Sequence, residues 1–292
     1  MPISRNRLTT PDDDHAINMI LYGDTGVGKT YLAGSAADSE ALSPVLMIDV
    51  EGGTLTLAGK KNIDVFRPEN WSDVQEAYNV LRTEDHKYRT VIIDSLTEVQ
   101  RKLSLGFIMG DLQDDSDTYH DLGKTTPPDR QDWLRTGEQM RKFIRAFRDL
   151  SWQRAVRRRV HVIMTVLEKS DDKRRIICPE LPGKLGPGAG AFVDILARLS
   201  VALTEDKDGV IEERRHLLVS SYEDARGTVY LAKNRGGRLG RQIWDPTAER
   251  ILGVWADHER SPKDKRAEQE KVRRRKRTEP EADNEIEEAD DE

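Results

Sequence analysis

Cysteine and long apolar runs are both nearly missing from this sequence. Cys178 is the single cysteine among 292 residues, which excludes an intrachain disulfide and a zinc site built on cysteines. No apolar run approaches the roughly 20 residues that a membrane-spanning helix needs. Residues 1–15 are polar and contain no apolar signal core. We therefore expect a soluble, cytoplasmic protein without membrane contact.

A strong net charge is also lacking, because 47 basic residues oppose 53 acidic ones and leave a formal charge of -6. This balance conceals a mainly basic block at residues 263–277 and a mainly acidic block at residues 279–292. Such blocks bury too little apolar surface to order themselves. We expect a flexible segment at 1–15, an ordered core at 16–256 and a disordered tail at 257–292. The net charge does not exclude nucleic acid as a partner.

Short apolar runs alternate with helical stretches along the first two thirds of the chain. This alternation is typical of an α/β fold with a mainly parallel sheet and helices on its faces. From residue 195 onward, short strands and glycine turns predict antiparallel strands that extend the sheet. We predict strands at 16–22, 44–50, 63–66, 90–94, 159–167, 195–203, 214–220, 229–232 and 242–244, helices at 30–37, 71–81 and 131–150, and a mobile insertion at 110–128.

A glycine-rich motif follows the first predicted strand. Residues 23–30 match the phosphate-binding pattern G-x-x-x-x-G-K-[ST] in full and precede a predicted helix. The glycines let backbone N–H groups turn toward phosphate oxygens, and a helix N-terminus favours the same anion. We expect Lys29 to reach the β- and γ-phosphates and the Thr30 hydroxyl to bind magnesium. The predicted ligands are ATP and Mg²⁺, and the predicted nucleotide site comprises Gly23, Asp24, Thr25, Gly26, Val27, Gly28, Lys29, Thr30 and Tyr31.

Polar residues at the ends of three predicted strands are candidates for the chemistry. Asp94 ends a β-branched run, where a carboxylate faces the ligand crevice of open α/β sheets, and we predict that it holds magnesium. The alternative is an aspartate that only caps the next helix. Glu51 and Asp49 compete as the acid that positions water, and position alone does not decide between them. Thr165 is either a sensor of the γ-phosphate or a threonine buried in its strand.

Several segments resemble RecA-type recombinases. Residues 45–55 (VLMIDVEGGTL) resemble their second core strand, and residues 91–96 (VIIDSL) resemble their magnesium strand. Residues 16–244 are similar to phage-encoded RecA-like nucleotide-binding proteins, which are compact AAA-type ATPases, some of them linked to single-strand annealing and recombination. The resemblance implies a RecA-like P-loop NTPase core, with Glu51 as the catalytic acid and Asp94 as the magnesium-side acid.

The resemblance also implies action across a subunit interface. Residues 232–235 resemble a basic element that such proteins insert into a neighbour's ATP site. Lys233 and Arg235 would then act on the γ-phosphate of an adjacent subunit, which requires self-association. Thr165 takes the sensor position, where RecA itself has a glutamine.

A basic segment after the fifth predicted strand is the candidate DNA contact. Residues 170–192 are rich in glycine and proline and occupy the place of a mobile DNA-binding loop in the resemblance. Lysine and arginine side chains on a mobile backbone suit phosphate contacts. Phe192 either stacks on a base or belongs to the core. The predicted contacts to single-stranded DNA are Lys173, Arg174, Arg175 and Lys184.

Two functions follow from these observations. The first is a DNA-stimulated ATPase in phage-type recombination or annealing, located in the host cytoplasm, with a single-strand-binding or replication protein as a further partner. The second is an interaction module, such as a loader or scaffold, whose nucleotide state switches a protein partner. The basic segment favours the first function, and the missing RecA-like glutamine favours the second. A small-molecule kinase is a weaker third option.

Overall fold

The computed structural model describes residues 16–110, 127–153, 155–205 and 209–256. Predictions for residues 1–15, for the tail at 257–292 and for most of the 110–128 insertion therefore lie outside the described residues. Within the described part, no helix is long and apolar enough to cross a membrane.

The strands alternate with helices as the apolar runs predict. The strands are β1 (Asn18–Gly23), β2 (Val45–Asp49), β3 (Ile63–Phe66), β4 (Thr90–Asp94), β5 (His161–Asp171), β6 (Ile176–Pro179), β7 (Ile195–Glu205), β8 (Ile211–Leu218), β9 (Tyr222–Glu223), β10 (Val229–Tyr230), β11 (Lys233–Asn234) and β12 (Gln242–Trp244). The helices are α1 (Lys29–Gly34), α2 (Trp71–Thr83), α3 (Leu96–Glu98), α4 (Leu105–Met109), α5 (Arg130–Asp149), α6 (Leu185–Gly188) and α7 (Ala248–Ala256).

The main sheet has the strand order β12-β8-β7-β1-β5-β4-β2-β3. The strands from β7 to β3 run parallel to one another, and β8 and β12 add antiparallel strands at the C-terminal side. The predicted α/β architecture is therefore confirmed. Because parallel strands end at the same edge, the carboxyl ends of β1, β2, β4 and β5 meet there, with Gly23 beside Leu167 and Asp49 beside Asp94.

Helices cover both faces of this sheet. α1 and α7 pack on one face around Leu32, Ile251 and the buried side of β1. α2 and α5 pack on the other face, where Phe143 and Phe147 of α5 join the core. The apolar side chains of α5 recur at three- and four-residue steps, which forms one buried stripe. Replacing Phe147 by alanine would cost about 3–5 kcal/mol through the cavity it leaves.

Two regions differ from the sequence predictions. No helix is predicted at residues 96–109, yet α3, a π-helical turn and α4 fill this stretch, beginning where the Ser95 side chain accepts a hydrogen bond from the Glu98 N–H. Residues 170–192 are not one loose loop, because they contain β6 and α6 and bury Cys178 and Leu185. Phe192 is half-buried against the core with the Arg145 guanidinium over its ring, which supports its core interpretation.

Candidate functional site

The glycine-rich motif forms the loop between β1 and α1. β1 is buried along its whole length and delivers the loop to the carboxyl edge of the sheet. Gly28, the residue that caps α1, has a φ of 96°, a left-handed conformation that glycine adopts without a steric penalty. A Cβ at Gly26, whose φ is 77°, would meet no atom within 4 Å. The space beside Gly26 is therefore open, close to the N-terminus of α1, where an anion is favoured.

Lys29 lies folded over this loop. Its ammonium donates hydrogen bonds to the carbonyls of Gly23, at 3.1 Å, and Asp24, at 2.8 Å. Burial lowers the pKa of Lys29, and the nearby carboxylates of Glu51 and Asp94 partly offset this effect. The side chain is thus a nearly enclosed cation among acids, positioned where phosphates would meet the loop.

Asp94 is joined to the phosphate loop by the Thr30 hydroxyl. Thr30 Oγ1 donates to Asp94 Oδ2 at 2.8 Å, and the Thr165 hydroxyl donates to Asp94 Oδ1. Both Asp94 and Thr165 are buried. Burial raises the pKa of Asp94, although these two hydroxyl donors counteract part of the shift. The structure therefore brings Thr30, Asp94 and Thr165 together, with Thr165 beneath the carboxylate rather than at the open surface.

The two acids that compete for the water-positioning role have different surroundings. Asp49 is buried and fully engaged, since it accepts the Gly52 N–H at 2.7 Å and pairs with Arg67 at 3.2 Å. Glu51 is exposed, and its backbone N–H donates to the Asp94 carbonyl at 3.2 Å. Glu51 is therefore the acid whose carboxylate stays open beside the loop.

An ion pair between β5 and β7, the two strands that flank β1, was not predicted from the sequence. Glu168, just beyond the level of Gly23, pairs with Arg198 of β7 at 2.8 Å and 3.1 Å. The Arg198 guanidinium also lies 4.7 Å from the centre of the Tyr230 ring. The one sequence signal is a charged residue inside the otherwise apolar run ILARLSVAL. Arg215 of β8, which donates a hydrogen bond to the Val27 carbonyl in the loop, has no such signal.

The basic element at residues 232–235 lies away from this chain's own phosphate loop. β11 pairs with the beginning of β7, whereas the loop follows the end of β1, the parallel neighbour of β7. The Lys233 ammonium donates to the carbonyls of Gly190 and Val193, and burial together with repulsion from Arg235 lowers its pKa. The Arg235 side chain is 62% exposed and pairs with Asp194 at 2.9 Å.

The four residues predicted to contact DNA lie in two separate regions of the structure. Lys173, Arg174 and Arg175 lie exposed in the turn that joins β5 to β6. Lys184 is exposed as well, but it follows the opposite end of that hairpin, where Pro179 pairs with Glu168. The structure therefore groups the three consecutive basic residues and separates Lys184 from them.

The fold and this site together define a P-loop nucleoside triphosphatase, in which a glycine loop and a lysine meet the acid at the end of a neighbouring strand. A family model described as AAA domain matches residues 15–235. The chain belongs to this AAA family, and it is a P-loop protein that binds and hydrolyses nucleotide.

Several solved structures resemble this chain at low identity. The RadB recombinase is 14% identical with a TM-score of 0.40, over 81% of this chain and 90% of that chain. The flagellar accessory protein FlaH from Methanocaldococcus jannaschii is 12% identical with a TM-score of 0.38, over 79% and 85%. An ATPase of the type III secretion system of pathogenic bacteria is 16% identical with a TM-score of 0.36, over 64% and 51%. No match was found among curated proteins.

Proposed function

We propose that this protein is a magnesium-dependent ATPase that acts on single-stranded DNA in phage-type recombination or annealing, in the host cytoplasm. One observation carries the enzymatic part of the proposal. The hydrogen bond between Thr30 and Asp94 joins the phosphate loop to a buried carboxylate, with the Lys29 ammonium close by. This combination is the one that phosphoryl transfer in P-loop proteins requires.

The residues present fit ATP and Mg²⁺. Thr30 and Asp94 offer hydroxyl and carboxylate oxygens, which are the donors that magnesium prefers. The described residues contain no cluster of three or more acidic, histidine or cysteine side chains that could hold a metal by themselves, so a metal here would also need phosphate oxygens. When bound, Mg²⁺ neutralises charge on the phosphates. Lys29 would leave the carbonyls of Gly23 and Asp24 and turn to the phosphates.

Hydrolysis would depend on Glu51. Its carboxylate is exposed beside Lys29 and Asp94, whereas Asp49 is committed to Arg67 and to the Gly52 N–H. Glu51 would hold the attacking water and accept its proton. Thr165 would act as a positioning residue, because its hydroxyl fixes one oxygen of Asp94.

The turn at residues 173–175 supports the DNA part of the proposal. An Nη atom of Arg175 lies 3.5 Å from the place of a Cβ on Gly227, so the Arg175 side chain reaches the turn between β9 and β10. Tyr222, which is 56% exposed, stacks on Tyr230 with ring centres 6.2 Å apart. Exposed aromatic rings beside basic groups suit unpaired bases and their phosphates.

Self-association would complete the nucleotide site. Arg235 is exposed and distant from its own phosphate loop, so we propose that it reaches the γ-phosphate in an adjacent subunit. Lys233 is less available, since two carbonyls hold its ammonium, and it would act chiefly by fixing β11. A single-strand-binding or replication protein is the further partner we propose.

The decisive experiment measures ATP turnover by the full chain with and without single-stranded DNA, at low and high salt. We expect DNA to raise the rate at low salt and lose its effect at high salt, because basic residues bind phosphates with counterion release. Turnover that DNA leaves unchanged at low salt would refute the DNA part of the proposal. Wild-type protein without any magnesium-dependent turnover would refute the enzymatic part.

A second candidate function is a nucleotide-switched interaction module. It is favoured by a cleft of about 560 Å³ between α2 and α5, which Trp71, Tyr78, Phe143 and Phe147 line together with Arg135 and Lys142. A mainly apolar cleft with a charged rim is typical of a protein-binding surface. This function predicts slow turnover that is indifferent to DNA, and partner binding that depends on nucleotide.

A further inference from the structure

Arg215 of β8 contacts the phosphate loop from outside. Its Nε donates to the Val27 carbonyl at 3.3 Å, and a Cβ on Gly28 would stand 2.7 Å from the same nitrogen. The guanidinium also lies 5.4 Å from the centre of the Tyr31 ring. Tyr31 is 48% exposed, with the Lys60 ammonium 5.5 Å from its ring. An arginine and a tyrosine thus form one partly open surface beside the loop.

The sheet order indicates which end of a nucleotide this surface meets. Asp94 lies on β4, on one side of β1, and in the proposed site it would place the metal and the terminal phosphate on that side. β8 lies on the other side of β1, with only β7 between them, which is a distance of about 10 Å. A nucleotide whose terminal phosphate lay on the Asp94 side would therefore extend its sugar and base toward β7 and β8.

The β7–β8 hairpin extends beyond the carboxyl end of β1, far enough to reach the sugar and base. Arg198 of β7 pairs with Tyr22 of β1, so Val201 lies three residues beyond that level, past the start of the loop. Arg215 is the cross-strand partner of Val201. Val201 is 44% exposed and shares the Arg215 face of the hairpin, so the surface stands above the sheet edge and has an apolar flank.

We infer that Arg215 and Tyr31 form the platform on which the base and sugar of the bound nucleotide rest. This inference depends on the proposed nucleotide site. A planar guanidinium and an aromatic ring attract the π-face of a base, which every base has, and do not read its edge. The site would therefore select triphosphates through the loop and metal, bind ATP and GTP similarly, and bind CTP less tightly because a pyrimidine stacks with a smaller area.

The test compares two ligands that share the phosphates and differ in the base. Mg-ATP and Mg-tripolyphosphate are titrated by calorimetry into the full-length wild type and into Arg215→Ala, Arg215→Lys and Tyr31→Ala. Arg214→Ala is the matched control, because Arg214 is the next residue on β8 but pairs with Asp245 at 2.8 Å and lies over Trp244. A melting curve of each variant verifies the fold.

We expect Arg215→Ala and Tyr31→Ala to weaken ATP binding about tenfold and to leave tripolyphosphate within about twofold of wild type. Arg215→Lys should resemble Arg215→Ala, since lysine keeps the positive charge but lacks the planar guanidinium. Arg214→Ala should bind both ligands with wild-type affinity. Equal weakening of both ligands by Arg215→Ala, or no weakening of either, would overturn the platform while leaving the phosphate site intact. Wild type that binds neither ligand would overturn the proposed function and the platform with it.

Discussion

Replacing Asp94 by asparagine is expected to stabilise the nucleotide-free protein, although the same change removes a proposed magnesium ligand. Asp94 is buried, and within the described residues its carboxylate accepts hydrogen bonds from the hydroxyls of Thr30 and Thr165. No ion pair to Asp94 is found among the described residues, although the Lys29 ammonium interacts with its charge, and burial raises the pKa of Asp94. A buried carboxylate held by neutral donors is destabilising while it stays charged.

The magnitude follows from two opposed contributions. Asparagine weakens two hydrogen bonds, because hydroxyl donors bind a charged acceptor more strongly than a neutral one, at a loss of about 1 kcal/mol each. Removing an imperfectly compensated buried charge raises the free energy of unfolding by several kcal/mol. The amide can keep one hydroxyl as donor and use the other as acceptor. We expect a net gain of about 2 kcal/mol, or about 5 °C in melting temperature for a core of this size.

The assay is thermal melting without nucleotide or metal, with Asp49→Asn as the matched control. Asp49 is equally buried and lies opposite Asp94 in the sheet, but it pairs with Arg67 and accepts the Gly52 N–H. Asp49→Asn should therefore lose about 1 kcal/mol, which is a change of opposite sign. Saturating Mg-ATP should reverse the order of wild type and Asp94→Asn, because ligand at about 100 times its Kd adds about 2.7 kcal/mol to the protein that binds it.

The pH dependence gives a second check. Because the folded-state pKa of Asp94 is raised, wild type takes up a proton and gains stability as the pH falls through that pKa. The advantage of Asp94→Asn should thus be full well above the folded-state pKa of Asp94 and shrink as the pH falls through that pKa. A variant that melts at or below the wild-type temperature throughout the alkaline range would show that the carboxylate is well compensated, and this reasoning would be refuted.

Four further predictions concern turnover and binding. Glu51→Gln should keep ATP affinity and lose turnover about 10²- to 10⁴-fold in a steady-state assay, and normal turnover would remove Glu51 from its role. Lys29→Ala should abolish nucleotide affinity in calorimetry, and unchanged affinity would contradict the phosphate site. Arg235→Ala mixed with wild type should reduce activity nonlinearly with mutant fraction, whereas a linear loss argues against action between subunits. Arg174→Ala with Arg175→Ala should lower the affinity for single-stranded DNA and reduce the salt slope of log K by about 1.4, whereas an unchanged slope places DNA elsewhere.

Local features of this protein could be predicted from its sequence. The phosphate loop is contiguous, and its glycines and lysine act through backbone conformation that neighbouring residues determine. The bounds of two strands were also predicted, since β3 and β4 coincide with the predicted ranges 63–66 and 90–94. The mainly parallel sheet followed from the alternation of these runs with helices.

The tertiary structure alone decided which side chains meet. It brought Thr165 under Asp94 across 71 positions and Arg215 onto Val27 across 188. It also separated Glu51 from Asp49, which sequence position leaves equivalent, because Arg67 neutralises only Asp49. Such pairings depend on strand order and register. Strand order and register arise from the packing of distant segments against one another, so no local sequence pattern predicts the pairings.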